Sequence, residues 1–416
     1  MTSSSPPPGQ VVAVDLGGTG IKAALVTGDG DVVRSVHRAT HRERGPRAVV
    51  DTVADTAAAL AAESRALTGR APLAVGVAVP GLVDTARGVA RYSANLGWRD
   101  VPLRAVLSER LALPVALGHD VRAGAVAEGR LGAGRGHDDF LFVALGTGIA
   151  AAHVHDGRVR EGVRGGAGEL GHLTVRQGGP RCGCGRRGCL EAIASASAIA
   201  RRYARATGGA RKGRPGPDGL DGPDGPDGLD GLDGLDGLDG GTGSDGGNGS
   251  DRPERENGPA WPDGPESGNG QDGGYGPNGS NGPNGEYGPD GRNGPDGGVT
   301  AEQVRERAGA GERVAARIWA SAVHALADGL AAYTVLCEPG AVVLGGGLAR
   351  AGAALADPLR QALADRLAFH RPPELVLAEL GDRAGCRGAA LLALDLAGER
   401  ATGRGGGAAR RKAVLS

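Results

Sequence analysis

Between Gly213 and Gly249 a glycine falls at every third position, mostly within Gly-Leu-Asp or Gly-Pro-Asp triplets, and the period resumes from Gly273 to Gly297 as Gly-Pro-Asn and its relatives. This run constrains the chain more than any other feature, because it removes residues 207–299 from any ordinary core. Those residues hold 32 of the 79 glycines and 12 of the 25 prolines, with 18 Asp or Glu against 6 Lys or Arg. A strict glycine period is the mark of the collagen triple helix, where only Gly fits at the axis. Here proline is sparse and Asp ends nearly every triplet of the first run, so three such strands would repel one another. Tandem calcium-binding repeats have a period of about nine rather than three. The composition reads instead as a disordered acidic insertion between two helices, whose length adds only slowly to the entropy of closing the loop.

Folding therefore falls to the two flanking pieces, which together are long enough for about two domains. The whole chain carries 47 Lys or Arg against 48 Asp or Glu, yet outside the insertion the balance is 41 to 30. The near-neutral total thus hides a basic body. No continuous apolar run reaches the roughly 18 residues of a membrane span, and Met1–Pro8 lacks the basic and apolar regions of a secretory signal, so a cytoplasmic protein with no membrane partner is expected. Five cysteines are an odd number, and Cys182, Cys184 and Cys189 crowd together, which suits a metal site better than disulfides. Cys337 and Cys386 are expected as core thiols.

Val11–Asp15, Ile21–Val26 and Asp31–Val36 are short β-branched runs separated by Gly-rich turns, and they predict an antiparallel meander. Pro46–Leu67 places Val50, Val53, Ala57 and Leu60 on one helical face. Val75–Val79 reads as a buried strand and Leu103–Leu111 as a helix. A second cycle follows, with a strand at Val115–Leu117, a helix over Arg122–Leu131, and strands at Phe140–Leu145 and Ile149–His155. Beyond the insertion the pattern predicts helices over Ala301–Ala308 and Glu312–Leu336, a strand at Val342–Leu344, a glycine turn and a helix from Leu348. Two successive mixed sets imply an α/β fold with two lobes.

Three glycine turns carry candidate phosphate chemistry. In Asp15-Leu16-Gly17-Gly18-Thr19-Gly20-Ile21-Lys22 a strand ends in Asp and runs into a turn whose backbone N–H groups and Thr19 hydroxyl can approach phosphate oxygens, while Asp15 can hold a water on Mg²⁺. It is not a Walker A loop, which needs Gly-Lys-Ser/Thr at a helix start. Gly146-Thr147-Gly148 repeats the device in the second lobe, and the pair suggests a nucleotide held across a cleft. Gly345-Gly346-Gly347 would let an adenosine lie against backbone.

The strongest local signal is His172 followed by Cys182, Cys184 and Cys189, with glycines permitting the tight turns between them. Three thiolates and an imidazole form a closed tetrahedral Zn²⁺ site, structural because no position stays open for water. Its binding energy would order the loop that carries Glu191.

With these motifs in this order, joined by Val77–Gly81, Gly168–His172 and Val343–Gly347, the chain resembles the ROK family (repressors, open reading frames, sugar kinases) over about residues 11–206 and 300–396. The resemblance implies an actin-like ATPase fold, ribonuclease H-like, with two βββαβα lobes and a cleft between them that closes on sugar and ATP. It implies that Asp120 is the catalytic base. A free Asp, with a pKa near about 3.9, is too weak to ionise an alcohol, so it must orient the hydroxyl and accept its proton late in a loose phosphoryl transfer. Glu169, His172 and Glu191 are implied to bind sugar hydroxyls, and Asn95 and the Gly81 backbone to make lesser contacts. His172 can serve twice, one ring nitrogen on zinc and the other on the sugar.

The expected division is a disordered tail at 1–10, an N-terminal lobe at 11–118, a C-terminal lobe at 119–206 and 300–384, the insertion at 207–299, a helix at 385–400 returning to the first lobe, and a basic tail at 401–416. The implied activity is phosphorylation of a hexose at its 6-hydroxyl by ATP with Mg²⁺, glucose being the favoured acceptor, in a homodimer or homotetramer. The alternatives are a kinase of N-acetylmannosamine, N-acetylglucosamine or fructose, and a sugar-responsive regulator without turnover. Repressors of the family carry a DNA-binding segment of about 60 residues ahead of the first phosphate turn. Ten residues precede Val11, which favours the kinase. The basic stretch Arg410–Lys412 lies near no recognition helix or aromatic platform, so no nucleic-acid partner is expected.

Two departures stand out. His119 occupies the position that commonly holds Asn before the base, and it either donates the same bond to the sugar or changes which sugar fits. Ala150–Ala152 replaces a glycine triplet and is expected to narrow the space near the phosphates.

Overall fold

The computed structural model describes residues 9–208 and 298–402. Nearly all of the expected insertion and the two tails therefore lie outside the described residues. Strands β1 (Gln10–Leu16), β2 (Gly20–Thr27) and β3 (Val32–Ala39) form the antiparallel meander, and β4 (Val75–Val79) and β8 (Val115–His119) extend it in parallel, in the order β3-β2-β1-β4-β8. A second sheet repeats the plan. β9 (Asp139–Leu145), β10 (Ile149–His155) and β11 (Arg158–Val159) are antiparallel, β12 (Ala341–Gly345) and β13 (Glu374–Leu377) parallel, in the order β11-β10-β9-β12-β13. Two sheets of one topology make this the two-lobed, actin-like α/β fold. A small third sheet, β5 (Leu82–Asp84), β6 (Val89–Ser93) and β7 (Trp98–Val101), branches from the first lobe.

Both faces of the first sheet are covered. Val12, Val14 and Leu16 pack with Val53, Ala57 and Leu60 of α1 (Pro46–Thr68) and Leu103 and Leu107 of α2 (Leu103–Leu111), while Val11 and Ala13 meet Ala389, Ala390 and Ala393 of α9 (Ala384–Ala401). The period of two along β1 thus feeds two cores. In the second lobe Leu141, Val143 and Leu145 pack with α4 (Leu190–Ala194), α5 (Ala196–Ala206), α6 (Ala301–Gly309), α7 (Arg313–Cys337) and α8 (Ala353–Ala364). Phe140 and Phe142 meet Ala125 of α3 (Asp120–Leu131) on the other face. Helix α7 is long and apolar enough to span a membrane, but 56% of its most apolar window is buried inside the protein. It is a core helix.

Helices α3 and α9 cross between the lobes, and their contact depends on glycine. A Cβ at Gly388 would lie 2.0 Å from the Ala123 carbonyl oxygen. Arg130 clamps the crossing with two parallel hydrogen bonds to Asp395, at 2.8 and 2.9 Å.

Several expectations need correction. Helix α3 begins at Asp120 rather than Arg122, because β8 runs on through His119 and no loop intervenes. After Gly347 the chain makes a 3-10 turn over Gly347–Ala351, and Gly352 at φ 58 separates it from α8. Cys337 is exposed at the end of α7 rather than buried, whereas Cys386 is half-buried. The third sheet, α4 and β13 are three to five residues long and too short for a periodic signal, whereas α5, with Ile199 and Tyr203 on one buried face, lies outside the expected elements.

Candidate active site

The first glycine turn, Gly17–Gly20, is braced from behind. Buried Thr40 donates its hydroxyl to the Gly17 carbonyl at 2.8 Å and its N–H to Thr19 O at 3.0 Å. Asp15 faces Lys22 across β1 and β2 and lies against the first turn of α9, where a Cβ at Gly385 would meet its Oδ2 at 2.4 Å. Burial pushes the Asp15 carboxyl up to about 6, with Lys22 pulling it down and Asp382 pushing it up. Lys22 Nζ donates to the backbone carbonyl of Asp382 at 2.8 Å and to its carboxylate at 3.1 Å. Asn95 sits beside this turn, its Cβ 3.7 Å from where a Gly18 Cβ would stand.

The second turn, Gly146–Gly148, is closed by Gly146 N–H on the Gly148 carbonyl at 2.9 Å. Its outward carbonyls are held by the chain after the cysteine motif: Ala196 N–H on Gly146 O at 2.9 Å, and Ser197 Oγ on Thr147 O at 2.6 Å. Gly346, at φ 85, brings the third glycine turn beside it, where a Cβ would lie 2.4 Å from Leu145 O, and the space over Gly347 is open. Two glycine turns at the ends of β9 and β12 thus form one backbone surface.

Asp120 heads α3 at the end of β8, where its Oδ1 accepts the Val121 N–H at 2.7 Å. Burial pushes its carboxyl up to about 7, and Asp15 and Glu169 add repulsion that the Val121 bond only partly offsets. Asp15 of the first turn, Asp120 and Glu169 therefore face one another. His119 is buried beside it. Desolvation, with the Arg122 charge nearby, brings its imidazole down to about 4, so it is neutral at physiological pH. Its Nδ1 stands 3.3 Å from Asp120 Oδ1 and has no hydrogen-bond partner. A neutral ring with a buried, unpartnered nitrogen is suited to a hydroxyl delivered by a ligand.

Glu169 precedes the 3-10 turn Leu170–His172. His172 turns Nε2 toward Glu169 Oε2, at 3.9 Å, and Nδ1 toward Cys182 Sγ, at 3.5 Å. Cys184 and Cys189 sulfurs are 3.6 Å apart, and one ligand atom from each of the four residues lies within 4.8 Å of all the others. A tetrahedron with metal–sulfur bonds of about 2.3 Å has edges of ~3.8 Å, so the donor set fits Zn²⁺. Burial pushes the Cys184 thiol up, but hydrogen bonds from Arg186, Cys182 and Cys189 outweigh it and bring it down to about 6. Burial carries Cys189 the other way, to about 12. Glu191, in the first turn of α4, accepts the Ile149 N–H at 2.9 Å, so the cysteine loop is tied to the second turn. Gly81, at φ 98, would place a Cβ 2.2 Å from Tyr92 O and holds the third sheet close to the cleft.

Of the Ala150–Ala152 departure, Ala150 is half-buried opposite Ala144, next to the second turn, and the other two lie further along β10. Ala151 packs into the large core of the second lobe and Ala152 against Phe140 and Phe142, so these methyls fill the two faces of β10. Thr40 and Ser197 escaped sequence reasoning because each lies some 20 or more residues from the turn it supports.

A family model described as the ROK family matches residues 11–217 and 292–396. A glucokinase of Thermotoga maritima is 40% identical over 193 residues, which are 46% of this chain and 59% of that protein. A glucokinase of Halalkalibacterium halodurans is 38% identical over 196 residues, 46% of this chain and 58% of its own length. The chain thus spans less than two thirds of the length of these relatives. The solved ROK hexokinase of Thermus thermophilus superposes with a TM-score of 0.64 at 29% identity, covering 94% of this chain and 99% of that one. A ROK family glucokinase of Streptomyces griseus in complex with glucose and AMPPNP gives 0.64 at 28% identity, covering 93% and 100%.

Proposed function

The chain belongs to the ROK family, and from that premise we propose that it transfers the γ-phosphoryl group of ATP to the 6-hydroxyl of a hexose, with glucose as the favoured acceptor. The observation that carries this reading is Asp120, a carboxyl pushed up to about 7 at the head of α3, facing Asp15 and Glu169. The ionised carboxylate of such a group accepts a proton from the attacking hydroxyl far better than that of a free Asp, whose pKa is about 3.9. Asp120 orients the 6-hydroxyl and accepts its proton as the phosphoryl group arrives. Glu169, Glu191 and the Nε2 edge of His172 hold the other hydroxyls, with Asn95, His119 and the Gly81 backbone completing the pocket.

The backbone of Gly17–Thr19 and Gly146–Gly148 cradles phosphates, Gly345–Gly347 accommodates the adenosine, and Lys22 exchanges Asp382 for a phosphate oxygen. Asp15 would hold Mg²⁺ through water, and the ion would neutralise charge on the transferring group. His172, Cys182, Cys184 and Cys189 would hold Zn²⁺, which supplies a rigid crosslink and no reacting group. On this reading the enzyme is a cytoplasmic homodimer or homotetramer with a nucleotide-side lobe at 119–206 and 300–384.

Solved and curated relatives named as hexokinase and glucokinase support the phosphotransfer, and His119 supports asking which hexose is taken. An ADP-release assay over glucose, mannose, fructose, allose, N-acetylglucosamine and N-acetylmannosamine tests both. Glucose should give the highest kcat/KM. Release that survives Asp120→Asn, or that appears with no hexose, overturns the assignment.

A further inference from the structure

We propose that Arg122 is a positioning residue for the sugar-binding carboxylate: it locks the segment Glu161–Ala167, which leads directly into Glu169, onto the helix that begins with Asp120. The proposal rests on the kinase reading of those two residues.

Arg122 lies in the first turn of α3 and is only 7% exposed. A buried guanidinium ordinarily has a carboxylate beside it, because an unpaired buried charge is costly. Among the described residues Arg122 has none. One nitrogen, Nη2, instead donates toward three carbonyls of a single loop, Gly165 O at 2.5 Å, Ala167 O at 3.2 Å and Glu161 O at 3.4 Å. The other, Nη1, is buried without a partner. The loop is wound to present those oxygens inward, with Ala167 N–H on Glu161 O at 3.1 Å and Gly165 N–H on Gly162 O at 3.2 Å. Three converging carbonyl dipoles supply the negative end that a carboxylate would have supplied.

The loop is pinned on its other sides as well. Thr85, just beyond β5, donates its hydroxyl to Glu161 Oε2 at 2.9 Å, and Gly168 O accepts the Ala151 N–H from β10 at 2.8 Å. Both lobes therefore contact this short segment, and among the described residues Arg122 is its only charged anchor to α3. Removing that anchor frees the approach to Glu169 without touching the glycine turns that would hold nucleotide. Burial chiefly disfavours protonation of His119, and the Arg122 charge adds to that.

The test is steady-state kinetics of Arg122→Gln with glucose and ATP varied separately, alongside Arg122→Lys and amide exchange over 161–168. Arg122→Gln should raise the KM for sugar about tenfold or more while leaving the KM for ATP within about twofold. Arg122→Lys, with three donors on a compact charge, should restore most of the loss. Equal changes in both KM values, or no rescue by lysine, would overturn the positioning role. If Arg122→Gln does not fold, Thr85→Val cuts the same loop from the opposite side. It should produce the same sugar-selective shift at a smaller size, and an unselective shift counts against the proposal. Should the wild-type protein phosphorylate no hexose, the kinase reading fails, and exchange decides the tie: faster exchange across 161–167 in Arg122→Gln supports it, unchanged exchange overturns it.

Discussion

The turn Gly17–Gly20 joins β1 to β2, and the turn Gly146–Gly148 joins β9 to β10, at the same place in two sheets of the same strand order. Beneath each stands a Leu–Ile pair, Leu16 with Ile21 and Leu145 with Ile149. One rung further down the likeness ends. Asp15 faces Lys22 in the first hairpin, and Ala144 faces Ala150 in the second. The repeated topology supplies a backbone cup twice, and charge is added to only one. The first sheet also leads into Asp120, at the end of β8, whereas the second is flanked by the cysteine loop and by Glu169 and Glu191, the residues proposed to hold the sugar. On the proposed reading, chemistry that moves protons and charge belongs to one sheet, and recognition to the other.

The hardest test of that division is Asp120→Asn, which should lower kcat by about 10²–10⁴-fold with little change in either KM. Wild-type kcat should fall as pH drops through about 7, where the carboxyl takes up its proton, and the variant should lack that limb. Stability moves the opposite way. The folded carboxyl has the higher pKa, so the folded state keeps a proton that the unfolded chain releases, and stability is lost as pH rises from about 4 to about 7. Asp120→Asn should therefore raise Tm at pH 8, with the gap narrowing toward pH 4. A variant that is inactive and less stable at pH 8 would mean that the carboxyl is structural.

Asp15→Ala makes the first hairpin resemble the second. If charge is what distinguishes them, turnover with Mg²⁺ and ATP should fall about 10²-fold while sugar affinity, measured by calorimetry without nucleotide, stays the same. A change in sugar affinity of similar size would blur the division between the lobes.

Zinc removal probes the other sheet. Cys184→Ser, or chelation, should raise the KM for sugar about 10–100-fold through His172 and Glu169. It should also raise the KM for ATP, less steeply, because Glu191 holds the Ile149 N–H behind the second turn. Metal analysis should find one zinc per chain before treatment. Undiminished sugar affinity in the metal-free protein would separate the cysteine loop from recognition.

Much of this division was legible in the residues. Period-two runs at Val11–Asp15 and Ile21–Val26, and glycine turns that permit close backbone approach, are local properties, and the sequence carries them openly. So is the cysteine spacing, since metal geometry limits what can lie between ligands. What stayed hidden was non-local. Arg122 looks like a solvated helix residue until the loop 161–167 is seen folded over it, and Cys337 looks buried by composition although α7 turns that end outward. Helix α9 has no amphipathic stripe, because its small residues pack both on the first sheet and on α3 while Asp395, Glu399 and Arg400 stay exposed.

Ser197 gives the smallest and most discriminating effect. It is half-buried and donates to Thr147 O at 2.6 Å, and its replacement by alanine leaves a carbonyl that water can reach. The cost should be about 0.5–1.5 kcal/mol of stability, the ordinary net worth of one hydrogen bond. If the second turn acts only as a backbone cup, held in shape also by the Ala196 N–H and Glu191, losing one of three braces should raise the KM for ATP about two- to threefold and leave kcat and the KM for sugar unchanged. A tenfold fall in kcat would show that the second turn tightens on the transferring phosphate during reaction. The neutral hairpin would then share the chemistry assigned to the charged one, and the two lobes would differ in composition more than in role.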